Sequence, residues 1–449
     1  MKLWAQGYEL DPLVEQFTVG EDYLLDQKLV PFDCIASYAH ATMLESIGIL
    51  TASELNALHG GLADIVERHR LNNFVISVEQ EDCHTAIENF LVEHCGEVGK
   101  KIHTARSRND QVLVALRLYM KTQILQVIDQ CCALTISFLN FANNHADVAI
   151  PGRTHMQLAM PSSFGLWAGA LAESLNDDTE MLKNAYAIID QCPLGSASSY
   201  GTAVAIDRQK VSMMLGFKKV QNNVLYANNS RGKFEAVVIQ ALHQVMLSLS
   251  KASSDLMFFG LPEVGYLALP EKLCSGSSLM PQKRNPCALE LVRAKSSTTA
   301  SLLSQVYDTI RTLPSGYHRD FQETKAPLMK AFEISLLSIH IILQHIEGLK
   351  VNHENCHNAF RPELFATDEA LALSLQGVPF RDAYLKVANA QSHNQPFDPK
   401  KNIATKTHLG ASGNLGLELA MTQADNLKAW SKARQKDWEE LWARFSKIR

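Results

Sequence analysis

The sequence predicts an all-α fold organised around a few unusually long helices. Glycine and proline, which break helices, are missing from four long runs. No such residue occurs between Arg106 and Ile150, from Lys233 to Phe259, or from Cys287 to Leu313, and the stretch from Asp320 to Gly348 is broken only at Pro327. Apolar and polar residues rarely alternate in these runs, so strands are not expected there. Helices longer than the globular average are the natural reading. A further observation concerns "FEAVVIQALHQVMLSLSKASSDLMFF", where Ala236, Val237, Val238, Ile239, Ala241, Leu242, Val245, Met246, Leu247 and Leu249 cover more than one helical face. A helix apolar nearly all round is buried on all sides, which predicts association with copies of the chain.

Length and composition set the frame. A chain of 449 residues corresponds to about three domains. With 46% hydrophobic and 20% charged residues, it has ample material for buried cores and no composition typical of disorder. Composition shifts at "GKKIHTARSRND" and near "VNHENCHNAFRPE" divide it into an N-terminal helical domain (1–105), a central long-helix bundle (106–355) and a C-terminal helical domain (356–449). The outer segments read as shorter helices with ordinary turn signals.

The net charge of −5 does not draw nucleic acid or acidic membranes, so an anionic ligand must be gripped by local cations and N–H groups. Nine cysteines, irregularly spaced and without CxxC, fit reduced thiols in a cytosol better than a disulfide framework. "MKLWAQGYELDPLVEQF" carries acids and a proline where a signal peptide needs an apolar core. No uninterrupted apolar stretch of membrane-spanning length is read from the sequence. A cytoplasmic protein is expected.

Polar, non-periodic stretches adjoin the ends of the long helices. They are "EDCHTAIE" (81–88), "HTARSRNDQ" (103–111), "GRTHMQ" (152–157), "CSGSSLMPQKRNPC" (274–287) and "GYHRDFQETK" (316–325). Their Ser, Thr, Asn, His, Arg and Lys residues suit carboxylate binding and proton transfer. Ser107, Arg108 and Asn109 precede a long helix that Asn109 or Asp110 is placed to cap, and free N–H groups there favour an anion. Thr154 and His155 fall in a loop between Pro151 and Pro161. In the 274–287 loop Ser277 becomes a base only if cations such as Lys283 stabilise its alkoxide. Gly276, Ser277 and Ser278 can offer backbone N–H groups to an oxyanion.

"HENCH" (353–357) matches the HExxH zinc pattern, but it sits in a hydrophilic boundary segment without a third ligand motif nearby. Neither GxGxxG nor GxxxxGK[ST] occurs, so nucleotide binding by those routes is unsupported.

Gly276 to Pro286 match the signature GSSxMPxKxNP in full, and on this the chain resembles the fumarase/aspartase superfamily. "HTARSRNDQV", "RTHMQLAMPSS", "PLGSASSYGTAVAIDR", "LPSGYHRDFQETK" and "GVPFRDAY" narrow the resemblance to the argininosuccinate lyase family, which includes delta-crystallin. The resemblance implies a three-domain, all-helical subunit whose long helices form the centre of a homotetramer, with each active site shared among subunits. It implies reversible β-elimination of argininosuccinate to arginine and fumarate, with no metal or organic cofactor. It assigns Ser277 as general base, with Lys283 and Asn285 stabilising the carboxylate that gains charge. His155 becomes the acid or acid relay, oriented by Glu290, and Thr154 holds a substrate carboxylate. Ser107, Arg108 and Asn109 bind the succinyl part. Tyr317, Gln322 and Lys325 bind the arginine part, supported by Arg231 and Asp82, and His84 matches a further site position.

Departures from the family pattern are Asp22 where many members have serine, Ala105 for a glycine, "NSRGKFE" (229–235) for "SDRDF", and Cys287 for aspartate. Other readings are a sister lyase acting on adenylosuccinate or aspartate, and an inactive crystallin-like structural protein. The RSRND and YHRDFQETK stretches argue against the first, and the intact Ser277, Lys283, Asn285 and His155 against the second.

Overall fold

The computed structural model describes residues 10–390 and 397–446; the first part of the N-terminal stretch read for a leader lies outside them. After two short helices, Pro12–Val19 and Asp22–Asp26, come three longer ones, α1 (Val30–Ser46), α2 (Ala52–Arg70) and α3 (Cys83–Cys95), which pack on one another. The next helix, α4, runs 37 residues from Arg108 to Asn144. A short antiparallel hairpin follows, β1 (Ala149–Thr154) paired with β2 (Gln157–Ser163). Beyond it come α5 (Phe164–Ile189), α6 (Lys233–Phe259), α7 (Cys287–Ile310) and α8 (Lys325–Gly348). The chain ends in the short helices α9 (Ala366–Leu375) and α10 (Phe380–Ala388) and the 30-residue helix α11 (Leu417–Ser446).

The four glycine- and proline-poor runs correspond to α4, α6, α7 and α8. Helix α5 was hidden by Gly165 and Gly169 in its first turns. These glycines serve close packing: a Cβ on Gly165 would lie 2.7 Å from the Cα of Ala146 and from a Leu415 methyl. The length of α11 also departs from the expectation of short C-terminal helices, because it lies along α4 and α5 instead of standing apart from the centre.

Helix α6 is central, flanked by α5, α7 and α8 of the same chain, while α4 packs against α5, α8 and α11. The chain itself therefore buries most of the apolar surface of α6, leaving Leu247 47% exposed. The all-round pattern alone thus does not require copies of the chain. Apolar side chains do remain exposed on the outer faces of the long helices, including Met181, Ile188, Leu247, Leu291, Tyr307 and Leu337.

No uninterrupted apolar stretch was expected to reach membrane-spanning length, yet two helices with interspersed charges are long and apolar enough by composition. Arg108–Asn144 and Arg319–Gly348 pass by length and composition, and 61% and 56% of their apolar windows are buried inside the fold. Their hydropathy is that of core helices.

Candidate active site

The polar stretches separate into two groups. Those of the first group meet in one cleft lined by Asp22, Asp26, Asp82, His84, Arg108, Asn109, Val112, Arg231, Tyr317, Arg319, Gln322 and Lys325. Three helices begin there: α3 behind its N-cap Asp82, α4 behind Ser107, and α8 at Lys325. Unpaired N–H groups and the positive ends of helix dipoles make such a place favourable for carboxylates.

Ser107, not Asn109 or Asp110, is the N-cap of α4; its hydroxyl accepts from Asn109 N at 3.3 Å. Asp110 closes the capping box, taking Ser107 N at 2.9 Å. Its other oxygen accepts from the N–H groups of Gly195 and Ala197 at 3.0 and 2.9 Å. "PLGSASS" is thereby fastened to the start of α4. Burial pushes the Asp110 carboxyl up to about 6 despite these bonds.

Arg108 is held by acids. Its guanidinium meets Glu81 at 3.0 Å and also pairs with Asp82. Glu81 adopts φ +65°, a left-handed conformation unusual for a non-glycine residue and characteristic of functional sites. Burial alone would raise the Asp82 pKa, but His84 and Arg108 outweigh it and hold the carboxyl below its usual range.

His84 is buried behind the cleft, with Nδ1 2.7 Å from Asp33 Oδ2. Burial opposes its protonation, but Asp33, Asp82 and Asp26 overcome this and raise its pKa. Its Nε2 has no hydrogen-bond partner among the described residues. Held this way and protonated, the imidazole carries an N–H donor at Nε2.

Lys325 is fully buried between Asp22, at 2.8 Å, and Asp26. Burial would lower its pKa, but the two carboxylates raise it above the ordinary lysine value. Gln322 donates to the carbonyls of Thr18 and Val19 at 3.2 and 3.3 Å, so the 317–325 stretch is clamped to the N-terminal segment. Arg231 pairs with Glu235 at 3.3 Å and donates to the Phe321 carbonyl at 3.2 Å.

The second group lies elsewhere. Ser277, Lys283, Asn285, Glu290, Thr154 and His155 do not line this cleft. His155 and Met156 form the tip of the β1–β2 hairpin, both with positive φ (52° and 62°) and both exposed. Consecutive residues with φ > 0 make the two-residue turn that suits a hairpin, so the expected loop is a tight turn. The 274–287 loop has a neck, where Ser275 and Asn285 exchange backbone hydrogen bonds of 2.9 and 2.8 Å. Within it the Ser277 hydroxyl accepts from the N–H groups of Leu279 and Met280 at 3.3 and 3.0 Å. Asn285 reaches back to the Gly276 carbonyl at 3.2 Å. Glu290 is exposed in the first turn of α7.

Asp26, Asp33, Glu81 and Arg319 were missed by the sequence reading. The i,i+4 spacing of Asp22 and Asp26 in "DYLLD" was an available signal, because it puts both carboxylates on one helix face. Asp33 gave no such warning, since nothing local ties it to His84.

One group among the described residues has metal-ligand spacing: single ligand atoms of Asp26, Cys83 and His84 lie within 4.8 Å of one another. Asp26 is already bound to Lys325 and to Cys83 N, and His84 Nδ1 to Asp33. Burial and the neighbouring acids hold the Cys83 thiol well above its usual pKa, which disfavours the thiolate a metal requires. "HENCH" lies apart from the cleft, with His353 and His357 beside Asp147, Asp398 and Lys400.

Comparison with known proteins places this architecture. A family profile described as lyase matches residues 7–299. The argininosuccinate lyase of Thermotoga neapolitana is 43% identical over 86% of this chain and 97% of its own length. That of Sorangium cellulosum is 39% identical over 93% and 97%. Among solved structures, EDDS lyase in complex with formate superposes with a TM-score of 0.82 at 21% identity, covering 98% of this chain and 96% of that one. A class II fumarase from Schistosoma mansoni gives 0.73 at 14%, over 86% and 94%. At these identities the structural matches speak to the fold, which is that of the fumarase/aspartase superfamily. Identity near 40% over almost the whole length is decisive: the chain belongs to the argininosuccinate lyase family.

Proposed function

We propose that this protein cleaves argininosuccinate reversibly to arginine and fumarate. The observation that carries this reading is the convergence of Asp82, His84, Arg108, Asn109, Arg231, Tyr317, Gln322 and Lys325 on one cleft. Dicarboxylate recognition at the start of α4 and an arginine-binding end around Lys325 fit a substrate with a succinyl part and an amino-acid part.

The reaction removes a proton from the carbon beside a succinyl carboxylate. Charge accumulates on that carboxylate as an aci-carboxylate, the C–N bond breaks, and the leaving guanidino nitrogen takes a proton. Ser277 is the base in this reading. Two backbone N–H groups already point at its hydroxyl oxygen, and hydrogen bonds to the charged form lower a pKa. Lys283 adds positive charge to favour the alkoxide and, with Asn285, stabilises the aci-carboxylate. His155 delivers the proton to the leaving nitrogen, with Glu290 orienting it, and Thr154 holds a carboxylate. Ser107, Arg108 and Asn109 hold the succinyl end. Tyr317, Gln322, Lys325 and Arg231 hold the arginine end, with Asp82 supporting Arg108 and His84 supplying an N–H donor.

The second group of residues reaches the cleft from neighbouring copies in a homotetramer, so each site is shared among subunits. Exposed Leu247, Leu291, Tyr307 and Leu337 on the long helices support such an assembly. A cytoplasmic location is supported by nine cysteines that are all unpaired.

The test is direct. Purified protein supplied with argininosuccinate releases fumarate, read as rising ultraviolet absorbance. Adenylosuccinate in the same assay gives no release. A confirmed tetramer that yields no fumarate over a range of pH and concentration ends the assignment.

A further inference from the structure

Two of the nine cysteines stand at the neck of the loop that carries Ser277 and Lys283. Six cysteines are buried, and only Cys95, Cys274 and Cys287 are partly exposed. Cys95 ends α3, where its thiol donates to the Ala57 carbonyl at 3.4 Å. Cys274 and Cys287 instead flank the antiparallel pair Ser275–Asn285. That register sets Cys274 opposite Pro286, with Cys287 the next residue along. From the spacing of antiparallel strands and the rise per residue, such diagonal neighbours have Cα atoms about 6 Å apart. A disulfide spans about 4.4–6.8 Å between Cα atoms. The sulfurs are near one another as well. Cys287 Sγ is 2.9 Å from the hydroxyl of Ser275, the residue next to Cys274, and burial, with Cys287 adding to it, raises the Cys274 pKa.

The two side chains do not yet face each other. Cys274 is extended, with φ −108° and ψ 137°, so its side chain points away from that of Ser275, on which Cys287 rests. A bond between the sulfurs needs the neck to turn. That turn strains the backbone hydrogen bonds of 2.9 and 2.8 Å between Ser275 and Asn285. Asn285 is part of the neck, and Ser277 and Lys283 lie inside the loop that it closes.

We propose that Cys274 and Cys287 form a reversible thiol–disulfide switch on this loop, oxidised by a small-molecule disulfide such as oxidised glutathione. One thiol, as thiolate, attacks a sulfur of the oxidant and expels a small thiol. The second thiolate attacks the mixed disulfide and expels the other. Two protein thiols and one small disulfide become one protein disulfide and two small thiols, which carry off the two protons. The bridge turns the neck and moves Ser277, Lys283 and Asn285 out of place, so turnover stops. Exposed or strained disulfides are the readily reduced, regulatory kind. The effect on turnover rests on the lyase reading, whereas the bridge itself does not.

The experiment treats full-length protein with oxidised glutathione, alkylates the remaining thiols and digests with trypsin. Cleavage after Lys272, Lys283, Arg284 and Arg293 puts the two cysteines on separate peptides. The expected result is a linked mass joining Cys274 to Cys287 that a reductant splits. Fumarate release falls about a hundredfold, as for misplaced reacting groups, and the same reductant restores it. Cys274→Ser and Cys287→Ser proteins keep their fumarate release in the oxidant. Absence of the linked mass, glutathione left attached to either cysteine, or a bridge between two chains overturns the proposal. So does a linked mass with unchanged turnover, or serine variants inactivated as fully as the unsubstituted protein. If the reduced protein releases no fumarate, the lyase reading falls, and the linked mass alone decides the bridge.

Discussion

His84 Nδ1 stands 2.7 Å from Asp33 Oδ2, with side chains only 3% and 1% exposed. Two groups that would each resist charging alone are thereby kept charged together.

The pair predicts a specific pH dependence. The His84 pKa is raised above its unfolded value, so its contribution is complete below about 6.5 and is lost as pH rises through the folded value. The Asp33 pKa is lowered, against the effect of burial, by His84 and Arg106. Its contribution is present above about 3.9 and is lost as pH falls through the folded value. His84→Asn should therefore cost most between about pH 4 and 6.5, by about 3–5 kcal/mol, as expected when a buried ion loses its partner. Denaturant unfolding of both proteins from acid to alkaline pH measures the difference. A gap that does not change with pH would show that His84 is not charged in the fold.

Ser277→Ala tests the base. Removing a general base costs about a hundred- to ten-thousandfold in turnover, and the hydroxyl contributes little to holding the two ends of the substrate. The expected outcome is loss of fumarate release with argininosuccinate binding retained by calorimetry. Turnover at the unsubstituted rate would move the base to another residue.

Much of the fold was legible in the sequence because helix breakers are local signals. The four long runs named α4, α6, α7 and α8 directly. Helix α5 was not legible, because Gly165 and Gly169 look like breakers until the backbone they approach is known. The site was legible in part for the same reason. Asp82, Arg108 and Lys325 stood out in polar stretches, whereas Asp33 lies in a helix and acquires its role only through a contact 51 residues away. Asp22 was visible as a departure, but its contact with Lys325, 303 residues away, was not.

Separation of the residues into two groups predicts complementation between inactive variants. Lys325→Ala removes the cation at the proposed arginine end, and Ser277→Ala removes the proposed base, in a loop outside that cleft. Each variant alone releases no measurable fumarate. In the proposed homotetramer, the two variants unfolded and refolded together give some sites with neither defect, and activity returns. Continued inactivity of a mixture shown by mass to contain hybrid tetramers would place both residues in sites built from one chain.

Ala105 makes the last prediction, where a departure from the family pattern meets a left-handed backbone angle. Its φ is +61°, a left-handed conformation that costs a residue bearing Cβ about 1–2 kcal/mol. Both neighbours are tied down: the Thr104 carbonyl accepts from His40 Nε2 at 2.9 Å, and Arg106 donates to the Ser37 hydroxyl at 2.9 Å. The chain cannot relax this angle without breaking contacts that set the start of α4 and hence Ser107, Arg108 and Asn109. Glycine adopts φ > 0 freely but gives the unfolded chain more freedom, which offsets about 0.4–1 kcal/mol of the gain. Ala105→Gly should therefore stabilise the protein by up to about 1.5 kcal/mol, seen as a higher midpoint in denaturant unfolding. A lower midpoint would mean that the Ala105 methyl contributes more by packing than its backbone angle costs.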